Sequence, residues 1–249
     1  MKRNVQIIIS AMALSLGVAA LAQTKTGLTK DQIVANKVAT KLANQDRFHR
    51  IDVQVDDRIA VLSGSVDLYI DKVDAQRKAE KADGVSGVRN EIVVEGKSVS
   101  DAELQDTLAN KLRYDRVGYG IVFNNMSVTV TDGRAVVSGN VRDYPDRDSA
   151  VAILETTPGV RDVVDEISVA PLSAFDDQLR IRLARAIYGH TTLQQYAMDP
   201  QAPIRIVVEN GKVELYGVVL NERDKQVAFM QANAVPGVFG VTNHIVVAQ

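Results

Sequence analysis

The sequence predicts an α+β protein of three tandem αββαβ modules. Each is a small three-stranded mixed sheet with two helices on one face, and all three follow a cleaved signal peptide. Three observations lead there. Glycines recur in pairs with a fixed separation of 20 residues, Gly64 with Gly84, Gly139 with Gly159, and Gly217 with Gly237. Each second glycine opens a G-V-x-x-V segment, holding Val85 and Val88, Val160 and Val163, or Val238 and Val241, with Ile92, Ile167 and Ile245 closing the pattern. The residues ahead of each first glycine alternate with period two, as a half-buried strand requires. Repeats on one offset grid are the signature of a unit copied in tandem.

The strands come in pairs. Ile51, Val53 and Val55 correspond to Met126, Val128 and Val130, and to Ile204, Ile206 and Val208. Turn residues follow, Asp56-Asp57, Asp132-Gly133 and Asn210-Gly211, the last two being strong tight-hairpin signals because Gly and Asn accept positive φ. The returning strands put Ala60, Leu62 and Val66 on one face, matched by Ala135, Val137 and Val141, and by Val213, Leu215 and Val219. The first glycine of each pair lies on that face, where close approach of another backbone is expected.

Helices fill the remaining stretches. Ala75, Ala79 and Ala82 make an apolar stripe between the two glycines, repeated as Ala150, Leu154 and Thr157, and as Ala228, Ala232 and Val235. An acid-base pair starts each one, Asp71-Lys72, Asp146-Arg147 and Asp224-Lys225. Favourable placement at the positive end of the helix explains these aspartates, with a functional role as the alternative. A further helix opens each unit, with Val34, Val38 and Leu42, Leu104, Leu108 and Leu112, or Leu179, Leu183 and Ile187 as its stripe. Ser100 and Glu103 form a capping-box pattern. The units are expected at 28–97, 100–170 and 172–249, joined by links so short that neighbours should touch.

The N-terminus carries Lys2 and Arg3, an apolar stretch from Val5 to about Leu21, and then Ala20-Leu21-Ala22. This reads as a signal peptide over 1–22, cut after Ala22, against the alternative of a membrane anchor. The export implied would permit disulfides, yet the chain has no cysteine, which excludes them along with thiol catalysis. After cleavage 27 basic residues face 31 acidic ones, a net of −4, no electrostatic footprint for nucleic acid. Counted per copy from Gln23, the nets are +1, −5 and 0.

No catalytic constellation is legible. His49, His190 and His244 are the only histidines, and none has HExxH spacing. A His190/His244 metal site within copy three is the remote alternative to isolated histidines. Ser63-Gly64-Ser65 lacks the first glycine of a nucleophile elbow, and no phosphate-cradling GxxxxGK loop occurs. We expect no cofactor, no metal and no small-molecule substrate. The copies differ mainly in the connector between first helix and first strand: Val34 to Gly64 spans 30 residues, Leu104 to Gly139 spans 35, and Leu179 to Gly217 spans 38. Growing loops on a fixed scaffold often carry function. These connectors hold Phe48, Tyr114, Tyr119, Phe123, Tyr188 and Tyr196, half of the twelve aromatic residues; covering the end of a small sheet is the alternative use. The sharpest candidate surface is on the first helix of copy three. Ile181 and Tyr188 fall off its core face, with Arg182 and Arg185 beside them, as an interfacial helix requires. The competing expectation is that this face packs against copy two or under the Gly189–Pro203 connector.

The strand ending in V-x-L-x-G-x-V, then a helix, then G-V-x-x-V and a short strand, resembles the BON domain of bacterial osmotically inducible and nodulation proteins. The matching segments are Ala60 to Val94, Ala135 to Val169 and Val213 to Val247. Copy three is closest, with IRIVVENGKVELYGVV followed by VPGVFGVTNHIVV, while copy one lacks glycine at its hairpin turn. The resemblance implies a non-enzymatic periplasmic envelope protein that binds anionic phospholipid surfaces in envelope maintenance or osmotic stress. A protein-interaction or chaperone-like module that binds envelope proteins is the alternative.

Overall fold

The computed structural model describes residues 28–115, 122–198 and 204–248. The expected signal segment and Tyr119 lie outside these. The first repeat comprises α1 (Lys30–Ala43), β1 (Ile51–Asp56), β2 (Ile59–Val66), α2 (Tyr69–Glu80), β3 (Gly87–Asn90) and β4 (Val93–Val94). The second comprises α3 (Asp101–Tyr114), β5 (Asn125–Thr131), β6 (Arg134–Val141), α4 (Tyr144–Glu155) and β7 (Asp162–Val169). The third has α5 (Ala174–Tyr188), the short α6 (Gln194–Met198), β8 (Arg205–Glu209), β9 (Lys212–Tyr216), β10 (Val218–Val219), α7 (Glu222–Asn233), β11 (Gly240–Asn243) and β12 (Val246–Val247).

Each sheet has the same plan. The hairpin strands pair antiparallel and the strand after the second helix returns parallel to the middle one: β1-β2-β3, β5-β6-β7 and β8-β9-β11. In the first and third repeats the returning strand breaks after an asparagine and resumes as β4 or β12. Asn90 and Asn243 each turn inward there. Each donates its amide to a carbonyl of the second helix, Lys72 at 3.0 Å or Lys225 at 3.2 Å, and accepts the amide of Ile92 or Ile245. The second repeat has Asp165 at this place, which cannot donate. Arg147 answers with an ion pair at 2.6 Å, and β7 runs on unbroken.

The recurrent glycines have distinct physical causes. Gly64 and Gly139 sit opposite the start of the first strand, with φ of +102° and +124°. A Cβ there would collide with the carbonyl oxygen of Arg50 or Asn125. The hairpin turns also correct one expectation. In the first repeat the turn is Asp57-Arg58, one residue later than the sequence suggests. Both residues take positive φ, +46° and +65°, as Asp132-Gly133 and Asn210-Gly211 do. The missing glycine therefore leaves the hairpin shape unchanged and places a strained Arg58 where Gly serves elsewhere.

An aspartate in the first turn of each first helix explains why that shape is held. Asp101 accepts from the amides of Asp132 and Gly133, at 2.7 and 2.9 Å. Asp176 accepts from Asn210 and Gly211, both at 2.9 Å, and Asp31 reaches Asp57 and Arg58 at 3.3 Å. The helix N-terminus favours the charge, and the turn fixes the helix on the sheet.

The repeats touch. Tyr69, at the start of α2, borders the cores of both the first and second repeats. Phe123, from the second repeat's connector, is buried in the core of the third among Leu179, Leu183, Ile206 and Leu215. β5 and β8 also meet.

Replacing Gly139 by Ala should destabilise the protein by about 2 kcal/mol or more, because the added Cβ meets backbone and the positive φ is unfavourable for L-residues. Denaturant unfolding measures it, and a change below about 0.5 kcal/mol would contradict the close approach.

Candidate functional site

The outward face of α5 is set by what its inward face must bury. Ser173 caps the helix, accepting from the Asp176 amide at 3.1 Å. Leu179, Leu183 and Ile187 are fully buried. At 100° per residue the opposite face then carries Gln178, Ile181, Arg182 and Arg185, and all four are exposed. Neither Arg182 nor Arg185 forms an ion pair among the described residues.

A feature not expected from the sequence extends this face. Phe175, in the first turn of α5, stacks on Phe239, with centroids 6.0 Å apart and rings inclined by 19°. They remain 45% and 76% exposed, so the pair is an apolar surface rather than core. Two glycines leave room for it: a Cβ on Gly211 would clash with the Phe239 ring at 2.5 Å, and Gly237 lies under the other ring. A Cβ there would press on the Phe175 ring at 3.2 Å and the Arg182 guanidinium at 3.4 Å. The signal was the phenylalanine inside G-V-F-G-V, where the other copies have Ser86 and Arg161.

Tyr188 departs from the expectation. It is half-buried against the third core, and its hydroxyl donates to the Ile204 carbonyl. Burial pushes its phenol well above the ordinary value. It ties α5 to the entry of β8 and does not share the open face with Ile181, Arg182 and Arg185.

On its other flank Ile181 borders a cavity of about 510 Å3 between the second and third repeats. Two arginines reach it, but each is neutralised. Arg142 donates through Nε (3.0 Å) and Nη2 (2.6 Å) to Asp143 Oδ2. Arg180 is buried and donates to Asp177 Oδ1 at 2.7 Å and to the Val208 carbonyl at 2.6 Å. The Asp143 bond holds the Arg142 guanidinium above its ordinary value.

The connector aromatics divide. Phe48, Phe123 and Tyr196 are buried, while Tyr114 is exposed. Tyr196 also explains the aspartate at the start of the second helix. Its hydroxyl donates to buried Asp224 Oδ2 at 2.6 Å and accepts from the Leu220 amide at 2.9 Å. Asp71 plays the same part with Arg47 at 2.7 Å, and Asp146 is equally buried. Capping in these helices falls instead to Asp143 and Asn221. Burial, then the Asp224 bond, raises the Tyr196 phenol. His190 accepts from the Thr192 amide and His244 stacks on Tyr216 at 4.7 Å. No group of three potential metal ligands forms among the described residues.

The BON domain pattern matches three times, over residues 30–96, 100–171 and 183–249. The chain belongs to the BON domain family. Among solved structures, this BON protein is similar to the C-terminal domain of CdsD, a structural protein of the Type III secretion system of Chlamydia trachomatis. That match has 14% identity and a TM-score of 0.26 over 86% of this chain and 96% of the other. It is also similar to the periplasmic domain of the T3SS inner membrane protein PrgH from S. typhimurium, with 11% identity and a TM-score of 0.20 over 85% and 99%. Both likenesses are too slight to bear on function. No curated protein matches the chain. Among the described residues no helix is long and apolar enough to cross a membrane.

Tyr196→Phe should cost about 1–3 kcal/mol, since it leaves the Leu220 amide without its acceptor and removes the shortest bond to buried Asp224, whose Oδ2 keeps only the longer bonds from Asn221 and Gln195, at 3.2 and 3.4 Å. Thermal or urea unfolding reads this directly. An unchanged midpoint would show that the hydroxyl bonds are replaced by water.

Proposed function

We propose that this BON protein is a non-catalytic periplasmic envelope protein that docks on anionic phospholipid surfaces through the outer face of α5. The observation that carries the reading is the stacked Phe175–Phe239 pair standing open beside Arg182, with Ile181 and Arg185 along the same helix face. Aromatic and aliphatic groups enter the headgroup boundary while guanidinium groups meet phosphates. Each arginine contributes about 1 kcal/mol near an anionic surface, so docking is weak and sensitive to salt. Export by removal of residues 1–22 and a division into units at 28–97, 100–170 and 172–249 belong to this reading, as does a role in envelope maintenance or osmotic stress.

The alternative, a protein-interaction or chaperone-like module, has its own support. On the helix-free face of the third sheet, Val218 and Val246 are paired and exposed, following the Tyr216–His244 stack. An open apolar strip of this kind suits a protein partner.

Co-sedimentation with vesicles separates the readings. Protein should pellet with anionic vesicles and stay in solution with neutral ones. Arg182→Glu with Arg185→Glu changes the charge by four units, about 4 kcal/mol near such a surface, so pelleting should fall to background with the circular dichroism spectrum unchanged. A double variant that pellets like the parent sinks the α5 surface. Failure of the parent to pellet favours the protein partner.

A further inference from the structure

A second cationic feature lies where the second and third repeats meet, away from the exposed face of α5. Arg113 stands in the last turn of α3, and Arg205 opens β8. With Ser127 and Met126 they line a cleft of about 110 Å3. Several arginines here have a carboxylate: Arg47, Arg50, Arg77, Arg134, Arg142, Arg147 and Arg180 all form ion pairs. Arg113 and Arg205 have none among the described residues.

Their like charges repel. Arg205 is half-buried. Burial first, and the like charge of Arg113 second, lower its guanidinium below the ordinary value. The opposing influence is Tyr188, and its raised phenol is neutral at physiological pH. Two cations held together with no counter-charge among the described residues, in a partly desolvated cleft, are complementary to an anion. Ser127 adds a hydroxyl. Its Oγ lies 3.1 Å from Ser138 Oγ, and when Ser138 donates, the Ser127 hydrogen is available to a ligand.

We propose that this cleft is a binding site for a tetrahedral oxyanion of the phosphate class, held by Arg113, Arg205 and the Ser127 hydroxyl. Its volume is well below the roughly 300–1,000 Å3 of pockets that enclose drug-sized ligands, so it takes the phosphate group itself and leaves any substituent outside. Guanidinium forks suit phosphate oxygens. Because Arg113 belongs to the second repeat and Arg205 to the third, the anion bridges the two and fixes their relative position. The same chemistry is offered by free inorganic phosphate and by the exposed phosphate of a lipid headgroup.

The test uses the purified protein and inorganic phosphate, with chloride at equal ionic strength as the reference. Phosphate should raise the thermal midpoint in proportion to the logarithm of its concentration above Kd; chloride should not. Arg113→Gln with Arg205→Gln should lose the phosphate response, with affinity about tenfold or more weaker. Its midpoint without phosphate should be no lower than the parent's, because a repulsion has been removed. Equal responses to phosphate and chloride in the parent overturn the proposal without reference to any variant, as does a response that survives in the double variant. Vesicles containing phosphatidic acid identify the source. Phosphate that displaces the parent from them assigns the site to headgroups, and undisturbed vesicle binding assigns it to the free anion. Arg182→Glu with Arg185→Glu should retain the phosphate response, which keeps this site distinct from the α5 surface.

Discussion

One carboxylate per repeat holds two elements that the chain places far apart. Asp31, Asp101 and Asp176 each accept both amides of the facing hairpin turn. The bonds are charge-assisted and lie at a helix N-terminus, so they are stronger than ordinary turn bonds. They fix both the rotation and the height of the first helix on the sheet. Which residues of α5 face outward follows from that: with Asp176 turned to the hairpin, Phe175 must lie beside Gly237, and Arg182, two turns on, falls above the same glycine.

The repeat grid, the hairpins and the helix stripes were legible because they answer to local periodicity and to backbone geometry. The aspartate clamp was not read, though its signal was present. In every copy the aspartate stands three residues before the first stripe residue, as Asp31 to Val34, Asp101 to Leu104 and Asp176 to Leu179. It passes for a helix-start residue, and only the fold reveals the turn it reaches. Tyr188 was misplaced for a related reason. A helical wheel puts it off the core stripe, but the residue leading into β8 offers its hydroxyl the Ile204 carbonyl. Phe175 and Phe239 were overlooked because stacking between a helix start and a distant loop leaves no periodic trace.

The copies differ both inside the fold and in their connectors. The bonds that Asn90 and Asn243 donate are replaced by an Asp165–Arg147 ion pair in the second repeat, while Asp165 still accepts the Ile167 amide at 3.0 Å and the parallel pairing is intact. The connectors differ more freely, and two of their residues now serve a neighbour or a buried aspartate: Phe123 enters the third core and Tyr196 reaches Asp224. Arg47 does in the first repeat what Tyr196 does in the third.

The position of Phe123 bears on how the protein is built as a whole. A side chain encoded in the second repeat completes the core of the third, so severing the chain between them removes an aromatic ring from one half and uncovers it on the other. The ring thus couples the second repeat to the third, as the interface between neighbouring tandem repeats does in general. A shuffled gene that moved the third repeat elsewhere would carry a hole in its product.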